Sequence, residues 1–447
     1  MLFGTFWVAS TITILAVSRP QIADDLGASV ESLVWLISGP TIALALTGTT
    51  AGKLGDLHGH RLVFLVGMSV STVFVLCSAL AWSGPSLIAF RVLAATAGAA
   101  TGPSSLAIIN GLFAREDRSK ALGYWSLVVA GGPVLGLVVG GPLVEQVGWR
   151  MIFWAQAPLL AFSALLAWAL VSETPRRTGV YFDVRGQAVL FVVLGWMLFG
   201  IDRGAAWGFA SPWVLGSFVL SAASLWWFMS VERRQEHPLI PLQWFRRSGF
   251  AVPVFVSFFM QFGYMGGFTL TPKLLAEVRG LGADAISLMM IPRPLTFALA
   301  GPLAGLLASR ISPRGAIATG MAALAVSMAL FAVIAPDPTT WLVVTALTLS
   351  GIGVGASLPR VSASVANSVE DVDLGVAGAT QQLLAQIGTT LGINLLETVQ
   401  VATLVGTSLT GSYRIAYGVG AGVSVIGLVI ALRMRDDRDP AAATLTR

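Results

Sequence analysis

Residues 52–64 read GKLGDLHGHRLVF and lie between two long apolar runs. Lys53, Asp56 and Arg61 fall within this stretch together with two histidines, although the 447-residue chain is 55% hydrophobic and only 11% charged. A soluble domain has about 25% charged residues, and the mean hydropathy here is +0.80. The bilayer is therefore the expected solvent for most of the chain. The polar stretch is the connection between two membrane crossings.

Hydropathy together with turn and charge signals predicts fourteen membrane-spanning helices. Helices are expected because backbone polar groups must be satisfied inside lipid, and the continuous apolar runs exclude the alternating strands of a β-barrel. The first run begins at Met1 and is interpreted as a span rather than a cleaved signal peptide. The predicted spans are 2–19, 32–52, 61–82, 85–111, 121–146, 149–171, 186–207, 211–231, 249–271, 284–308, 315–335, 339–362, 375–398 and 413–434.

The distribution of basic residues predicts the orientation. Of 27 Lys and Arg residues, eighteen lie in one set of alternate loops, six in the other set and three inside predicted spans. The positive-inside rule therefore places both termini and residues 52–64 in the cytoplasm. Because the basic residues are dispersed over short loops, they do not form the continuous stripe that binds nucleic acid.

An internal repeat relates the two halves of the chain. GLLASRISPR at 305–314 aligns with GKLGDLHGHR at 52–61, so that Gly52 matches Gly305 and Arg61 matches Arg314. Two six-helix halves with a substrate site between them are a transporter architecture. The expected domains are a first bundle at 1–171, two linking helices at 186–231, a second bundle at 249–434 and a cytoplasmic tail at 435–447.

These motifs resemble those of the major facilitator superfamily, in its fourteen-span drug:proton antiporter branch. The family's loop pattern is met by Gly52, Leu54, Asp56, Gly59 and Arg61, and GGPVLGLVVGGP at 131–142 is similar to its exporter signature. GWRMIFWAQAP at 148–158 resembles the start of its sixth span, and RGAAWGFASPWVL at 203–215 resembles its extra helices. The resemblance implies an all-α integral membrane protein of the major facilitator fold that exports small molecules by alternating access, coupled to protons.

The polar stretch has the composition of a gate. Gly52 and Gly59 would let backbones approach closely, and Asp56 would lie at the positive end of a neighbouring helix or beside Arg118. Arg61 completes this gating set. The alternative is a loop that only orients the chain. GTTAGKL at 48–54 is one residue short of a phosphate-binding loop and lacks the Ser or Thr after its lysine, so ATP binding is rejected.

The fifth span holds small residues at helical spacing. Such residues allow helices to pack closely in lipid, and the prolines permit bending. The segment is expected to form a flexing seam along the transport path, with ordinary packing as the alternative. Its members are Gly132, Pro133, Gly136, Gly140 and Gly141.

Charged residues inside the predicted spans are candidates for the ion path, because a charge at mid-bilayer costs at least about 2.5–3.5 kcal/mol. Arg91 matches an arginine that the family links to proton movement. The family's acidic residue in the first span is Thr11 here, and threonine carries no proton. Asp202 and Glu397 are the remaining candidates for the proton path, with interfacial ion pairs as the alternative.

Neutral polar and aromatic side chains are expected to line a substrate cavity. Gln382 and Gln386 share a helix face, and neutral polar groups suit a mostly apolar ligand. Helix–helix hydrogen bonding and contact with lipid are the alternatives. The full set is Thr11, Arg293, Gln382, Gln386, Phe259 and Phe262. Because carboxylates are scarce, neutral, zwitterionic or anionic amphiphiles are the expected substrates.

The sequence thus favours a multi-pass transporter in a bacterial inner membrane that exports drug-like amphiphiles. An exporter of lipid-like molecules and a solute importer remain open alternatives. An enzyme is not expected, because His58, His60 and His237 lie in loops and the spans hold no cluster of metal ligands or nucleophiles. We expect protons and the bilayer as partners, a monomer, no nucleic acid, no metal and no cofactor.

Overall fold

The computed structural model describes residues 2–28, 32–174, 183–235, 240–307, 310–404 and 406–434. Sixteen α-helices make up this part of the chain. They are α1 (Leu2–Leu26), α2 (Trp35–His58), α3 (His60–Ala79), α4 (Gly84–Gly98), α5 (Thr101–Leu112), α6 (Arg118–Val147), α7 (Arg150–Leu170), α8 (Val184–Trp207), α9 (Pro212–Glu232), α10 (Ser248–Arg279), α11 (Ala283–Met290), α12 (Pro292–Leu306), α13 (Pro313–Ile334), α14 (Thr340–Asn367), α15 (Leu374–Leu404) and α16 (Leu409–Leu432).

Ten helical segments of the described residues are long and apolar enough to cross a membrane. Two of them are pairs of consecutive helices, α4 with α5 and α11 with α12. The helix α15 is not in this set, and its sequence carries four glutamines, an asparagine and a glutamate among its apolar residues. The protein is therefore an all-helical membrane protein, and the described residues alone do not establish the number of fourteen crossings.

Two predicted spans are interrupted. The span predicted at 85–111 breaks at Ala99 and Ala100, and the span predicted at 284–308 breaks at Ile291. Pro103 and Pro292 follow these breaks within three residues. Proline has no N–H and clashes with the preceding turn, so each break lies just ahead of a proline in the first turn of the next helix. The first helix is longer than predicted and continues beyond Pro20 to Leu26.

The helices form two bundles, each with its own apolar core. We call α1–α7 the front bundle and α10–α16 the rear bundle. In the front bundle, Phe64, Phe153 and Leu160 are fully enclosed where α3 and α7 pack together. In the rear bundle, Phe331 stacks on Tyr417 at a centroid distance of 4.9 Å between α13 and α16. Burial of such aromatic side chains fixes each bundle as a unit.

The bundles meet along two lines of contact. Along one line α2 packs on α15, and along the other α6 packs on α12 and α14. The remaining helices, α8 and α9, pack on each other, and α8 also contacts α2 and α15. Since successive segments alternate in direction, with α4–α5 and α11–α12 each counted as one segment, the stretch 52–64 lies on the same side of the molecule as the connections at 112–118, 171–174 and 367–374. We call this side the charged face.

Candidate functional site at the contact between the bundles

The helices α2 and α15 touch through two glycines at the charged face. A Cβ on Gly52 would lie 2.6 Å from the backbone oxygen of Gly375, and a Cβ on Gly375 would lie 2.6 Å from the oxygen of Gly52. Real Cβ atoms do not approach so closely, so only glycine fits at both positions. This pair lets a residue one turn further along α2 reach the end of α15.

That residue is Asp56, whose carboxylate caps the N-terminus of α15. Its two oxygens accept hydrogen bonds from the backbone N–H groups of Gly375 and Val376, both at 2.9 Å. His60 Nε2 lies 2.9 Å from Asp56 Oδ1, and Asp56 is only 3% exposed. The first N–H groups of a helix have no partner within the helix and carry its positive dipole end. The carboxylate satisfies two of them across the boundary between the bundles.

Gly59 and Arg61 hold the turn between α2 and α3 but do not reach the rear bundle. Gly59 has φ +99°, a backbone conformation that side chains rarely adopt. The Arg61 guanidinium donates to the backbone oxygen of Trp168, and the Arg61 N–H donates to Glu173 at 3.1 Å. All these partners belong to the front bundle. The described contacts of Arg61 thus fasten α3 to the end of α7, and its membership of the gating set stays a prediction.

Arg118 makes the second set of bonds between the bundles. From the first turn of α6 its NH1 donates to Asn367 Oδ1 at 3.0 Å, and its NH2 donates to Asp371 Oδ1 at 2.7 Å. Its NH1 also lies 3.4 Å from the oxygen of Ala366, and its Nε donates to Asn110. Arg118 is 3% exposed and lies at the C-terminus of α14, where a cation complements the negative dipole end.

The two sets hold opposite ends of one turn. Residues 368–373 connect α14 to α15, and the front bundle supplies a cation to the helix that ends there and an anion to the helix that begins there. We call Asp56, Arg118 and their partners the clasp. The bonds of Asp56 and the bond from Arg118 to Asn367 join a charged group to a helix end, and the bond from Arg118 to Asp371 is an ion pair with the connection itself. The clasp consists of noncovalent bonds between the two bundles. It can therefore break and re-form reversibly.

The second line of contact also uses glycine. A Cβ on Gly123 would lie 2.6 Å from the oxygen of Gly301, and a Cβ on Gly305 would lie 2.9 Å from Lys120 Cα. These residues join α6 to α12 within two turns of the charged face. Of the predicted seam, Gly132 is buried in α6. Pro133, Gly136, Gly140 and Gly141 are in the helical part of α6, but their surroundings lie outside the described residues.

Two of the three predicted ion-path residues, Arg91 and Glu397, lie in different bundles. Arg91 is 7% exposed inside the front bundle, with its guanidinium 5.7 Å from the Phe153 ring centre. Glu397 forms an ion pair with Lys273 of α10 in the rear bundle, where both side chains are partly exposed. The Asp202 side chain lies outside the described residues. The structure therefore does not join Arg91 and Glu397 in one site.

Two predicted cavity residues are buried in helix packing. Thr11 is 2% exposed and its hydroxyl donates to the backbone oxygen of Trp7 at 2.9 Å. Arg293 is 1% exposed, donates to the backbone oxygen of Tyr264 and lies 3.9 Å from the centre of the Tyr264 ring. The Thr11 hydroxyl and the Arg293 NH2 group thus bond within their own bundles, while Arg293 Nε is buried without a hydrogen-bond partner among the described residues.

The other four predicted cavity residues divide into two pairs. Phe262 is 1% exposed in the rear core, whereas Phe259 is partly exposed and packs against Gly427 of α16. Gln382 and Gln386 are partly exposed, and the Gln382 amide lies against Gly102 of α5 in the front bundle. Gln382 therefore lies at the contact between the bundles, and Gln386 lies one turn further along α15 on the same face.

Four residues take part in these contacts although the sequence did not predict that role: Gly375, Gly301, Gly305 and His60. Gly375 is constrained by the backbone of another helix, which leaves no local pattern to detect. Gly301 and Gly305 have the small-residue spacing that allows close packing in membranes, and this spacing can be detected in the sequence. The sequence predicts His60 in a loop, but its position four residues after Asp56 places the two side chains on neighbouring turns.

Two cavities flank these contacts. One of about 750 Å³ opens at the charged face beside Lys120, Arg360 and Asn367, and its lining includes none of the predicted cavity residues. The other, of about 70 Å³, lies inside the front bundle beside Arg91 and Gln156.

Comparisons with known proteins agree with the fold and the motifs. The family model described as Major Facilitator Superfamily matches residues 1–293 and 253–447. The chain is 31% identical over 410 residues to the tetracenomycin C resistance and export protein of Streptomyces glaucescens, covering 90% of this chain and 75% of that protein. It is 30% identical over 453 residues to the puromycin resistance protein pur8 of Streptomyces alboniger, covering 96% and 89%.

A solved structure has the same fold. The human organic anion transporter MFSD10 (TETRAN) superposes with a TM-score of 0.71 at 18% sequence identity, covering 96% of this chain and 97% of that one. At this identity the likeness establishes the architecture alone. Because the family model matches the whole length of this chain, the chain belongs to the Major Facilitator Superfamily.

Proposed function

We propose that this transporter exports amphiphilic small molecules, drug-like or antibiotic-like, across the bacterial inner membrane. Its similarity to a tetracenomycin C resistance and export protein and to a puromycin resistance protein supports this direction of transport. In our proposal fourteen crossings form two six-helix bundles, at 1–171 and 249–434, which the pair at 186–231 joins. Both termini, the tail at 435–447 included, lie in the cytoplasm, and the protein works as a monomer.

The clasp is the observation that carries the mechanism. Asp56 and Arg118 join the bundles through helix ends at the charged face, which we assign to the cytoplasmic side. In our proposal these bonds close the cytoplasmic entrance while substrate leaves on the opposite side. When they break, the bundles tilt apart at this face and cytoplasmic substrate enters. The glycines at 52 and 375 permit the contact, and the seam in α6 accommodates the tilt.

The substrate path in our proposal follows the contact between the bundles. Gln382 and Gln386 lie there on one face of α15 and offer neutral hydrogen-bonding groups to an amphiphile. Because Phe262 is buried in the rear core, we consider these glutamines stronger candidates for the substrate path than Phe262.

We further propose that transport is coupled to protons and that Glu397 is the leading proton carrier. Its carboxylate forms an ion pair with Lys273 between α10 and α15, and Thr11 stands where the related antiporters carry an acid. A proton that binds Glu397 would neutralise it and break the pair with Lys273. Deprotonation would restore the pair, so proton binding to Glu397 can change how α10 and α15 pack together.

Transport in everted membrane vesicles tests the proposal. A fluorescent amphiphile and a fluorescent lipid are offered in parallel to energised vesicles that contain the wild-type chain. A variant with Gly375→Val, which cannot bring α2 and α15 together, is the matched control at equal expression. We expect the amphiphile to accumulate, the control to accumulate none, and a protonophore to abolish the signal.

The other outcomes are informative. Movement of the lipid without the amphiphile would identify an exporter of lipid-like molecules. Accumulation of the amphiphile in right-side-out vesicles alone would identify an importer. Accumulation that persists with the protonophore would contradict proton coupling.

A further inference from the structure

The cavity of about 70 Å³ inside the front bundle contains an uncompensated charge. Its lining comes from α1, α2, α3, α4, α5 and α7, and most of it is aliphatic. The polar side chains that face it are Thr41, Ser71, Arg91, Thr101 and Gln156. The volume is about twice the ~30 Å³ that a water molecule occupies in the liquid. The cavity can therefore hold a small polar ligand.

Arg91 brings a full positive charge to this cavity. A guanidinium stays protonated in proteins at neutral pH, and this one is 93% buried, since it is 7% exposed. Its Nε is buried with no hydrogen-bond partner among the described residues. Its one described interaction is the cation–π contact with Phe153, whose ring centre is 5.7 Å from the guanidinium carbon. No described carboxylate pairs with it, because the described ion pairs all involve other residues.

A second polar group in the same cavity is also unsatisfied. Gln156 is 3% exposed and its Oε1 is buried without a hydrogen-bond partner among the described residues. A half turn of the amide about its last side-chain bond would present the NH₂ group to the cavity instead, because O and N occupy equivalent positions. Buried polar groups are normally hydrogen-bonded, because a buried group without a partner destabilises the folded protein. Two such groups facing one cavity indicate a ligand that satisfies both.

The chemistry of the lining selects the charge of that ligand. Arg91 offers only N–H donors, Gln156 can offer two more, and the Ser71 hydroxyl can donate one. A cation would face the guanidinium without a compensating carboxylate. A water molecule would bridge the donors but leave the charge unbalanced in a low-dielectric interior. A small monovalent anion satisfies the donors and balances the charge.

We propose that Arg91 and Gln156 bind a small monovalent anion in this cavity, either a chloride ion or a carboxylate group. Both have acceptor atoms for the donors of the site, and both fit its volume. Binding of the free anion does not depend on the direction or coupling of transport. It can therefore be tested on the purified chain, and its failure would leave the proposed export function intact.

The test is thermal unfolding of the purified full-length protein in detergent, at constant ionic strength. Sodium gluconate, whose anion is too large for the cavity, is replaced stepwise by sodium chloride or by sodium formate. We expect the melting temperature of the wild type to rise and saturate with at least one of the two small anions. A rise with both assigns the site to small anions in general, and a rise with formate alone assigns it to carboxylates.

Three variants locate the effect. Arg91→Gln removes the charge and should abolish the response, with a melting temperature in gluconate equal to or above that of the wild type. Gln156→Leu removes one hydrogen bond to a charged ligand and should weaken the apparent affinity by about tenfold. Arg233→Gln removes an exposed cation at the end of α9 and should leave the response unchanged.

Gly98→Ala tests the cavity without altering any charge. The new Cβ would lie 3.4 Å from Ser71 Oγ, an ordinary contact, so the variant should fold. It places a methyl group in the cavity and should raise the midpoint concentration of the anion several-fold. The proposal is overturned if no small anion shifts the wild-type melting temperature, or if the shift is the same in Arg91→Gln as in the wild type.

Discussion

Replacing Asp56 by Asn should open the charged face. The substitution preserves the size of the side chain but removes its charge, and an amide can offer only one oxygen to the N–H groups of Gly375 and Val376. A hydrogen bond to a charged group is worth about 1.5–3 kcal/mol, and the favourable contact with a helix dipole adds about 0.3–1 kcal/mol. Loss of one such bond and of the dipole term amounts to about 3 kcal/mol, or roughly a 150-fold change in the ratio of closed to open molecules.

Electron–electron double resonance between spin labels at His58→Cys and Arg314→Cys measures this ratio. Both positions are exposed, at the end of α2 and the start of α13, and the single native cysteine, Cys77, is first replaced by Ser. In the parent we expect one short distance, and in Asp56→Asn a second, longer distance with a large population.

Asp25→Asn is the matched control. Asp25 accepts a hydrogen bond from Trp149 Nε1 at 3.1 Å and pairs with Arg150 on the opposite side of the front bundle. The same change of charge at this site should leave the distances at the charged face unchanged. If Asp56→Asn shows the parental distribution, the clasp does not hold the bundles together and the reasoning from helix ends is wrong.

Three further changes test the neighbouring contacts. Gly375→Ala would place a Cβ 2.4 Å from an Asp56 oxygen and should lengthen the same distance, whereas Gly111→Ala, whose Cβ meets open space, should not. Arg118→Gln should also favour the longer distance, but it should change the ratio of closed to open molecules by only about tenfold. The effect is smaller because its Asp371 partner is 63% exposed and solvent weakens such pairs. Glu397→Gln should stop proton-driven accumulation of the amphiphile in everted vesicles, whereas energy-independent counterflow should persist. Accumulation at the wild-type level would exclude Glu397 as the proton carrier.

The sequence predicted the membrane class and the surroundings of Asp56 because both follow from local chemistry. Long apolar runs require the bilayer, and an aspartate flanked by glycines at the end of a span suggests close contact with a neighbouring helix. The structure places that carboxylate at the N-terminus of α15, the first of the two predicted positions, and not beside Arg118. The family and the relation to resistance exporters, predicted from the motifs, are confirmed.

The sequence could not assign contacts that depend on distant parts of the chain. Arg61 contacts Trp168, which is 107 residues away, and nothing near Arg61 distinguishes that partner from one in the other bundle. The aromatic spacing around Phe262 fits lipid, cavity and core equally well, so its burial followed only from the packing of α10. The unbalanced charge of Arg91 became visible only when its surroundings were known, because a sequence does not show which partners are missing.

The central claim is that closure at the charged face and closure at the opposite face alternate. Spin labels at His58→Cys with Arg314→Cys report the charged face, and labels at the exposed residues Leu80 and Trp341 report the opposite face. Both distances are measured in the parent and in Asp56→Asn. The account predicts that the distance at the charged face lengthens while the distance at the opposite face shortens. If the two distances lengthen together, or if the opposite face does not respond, alternating access about the contact between the bundles is contradicted.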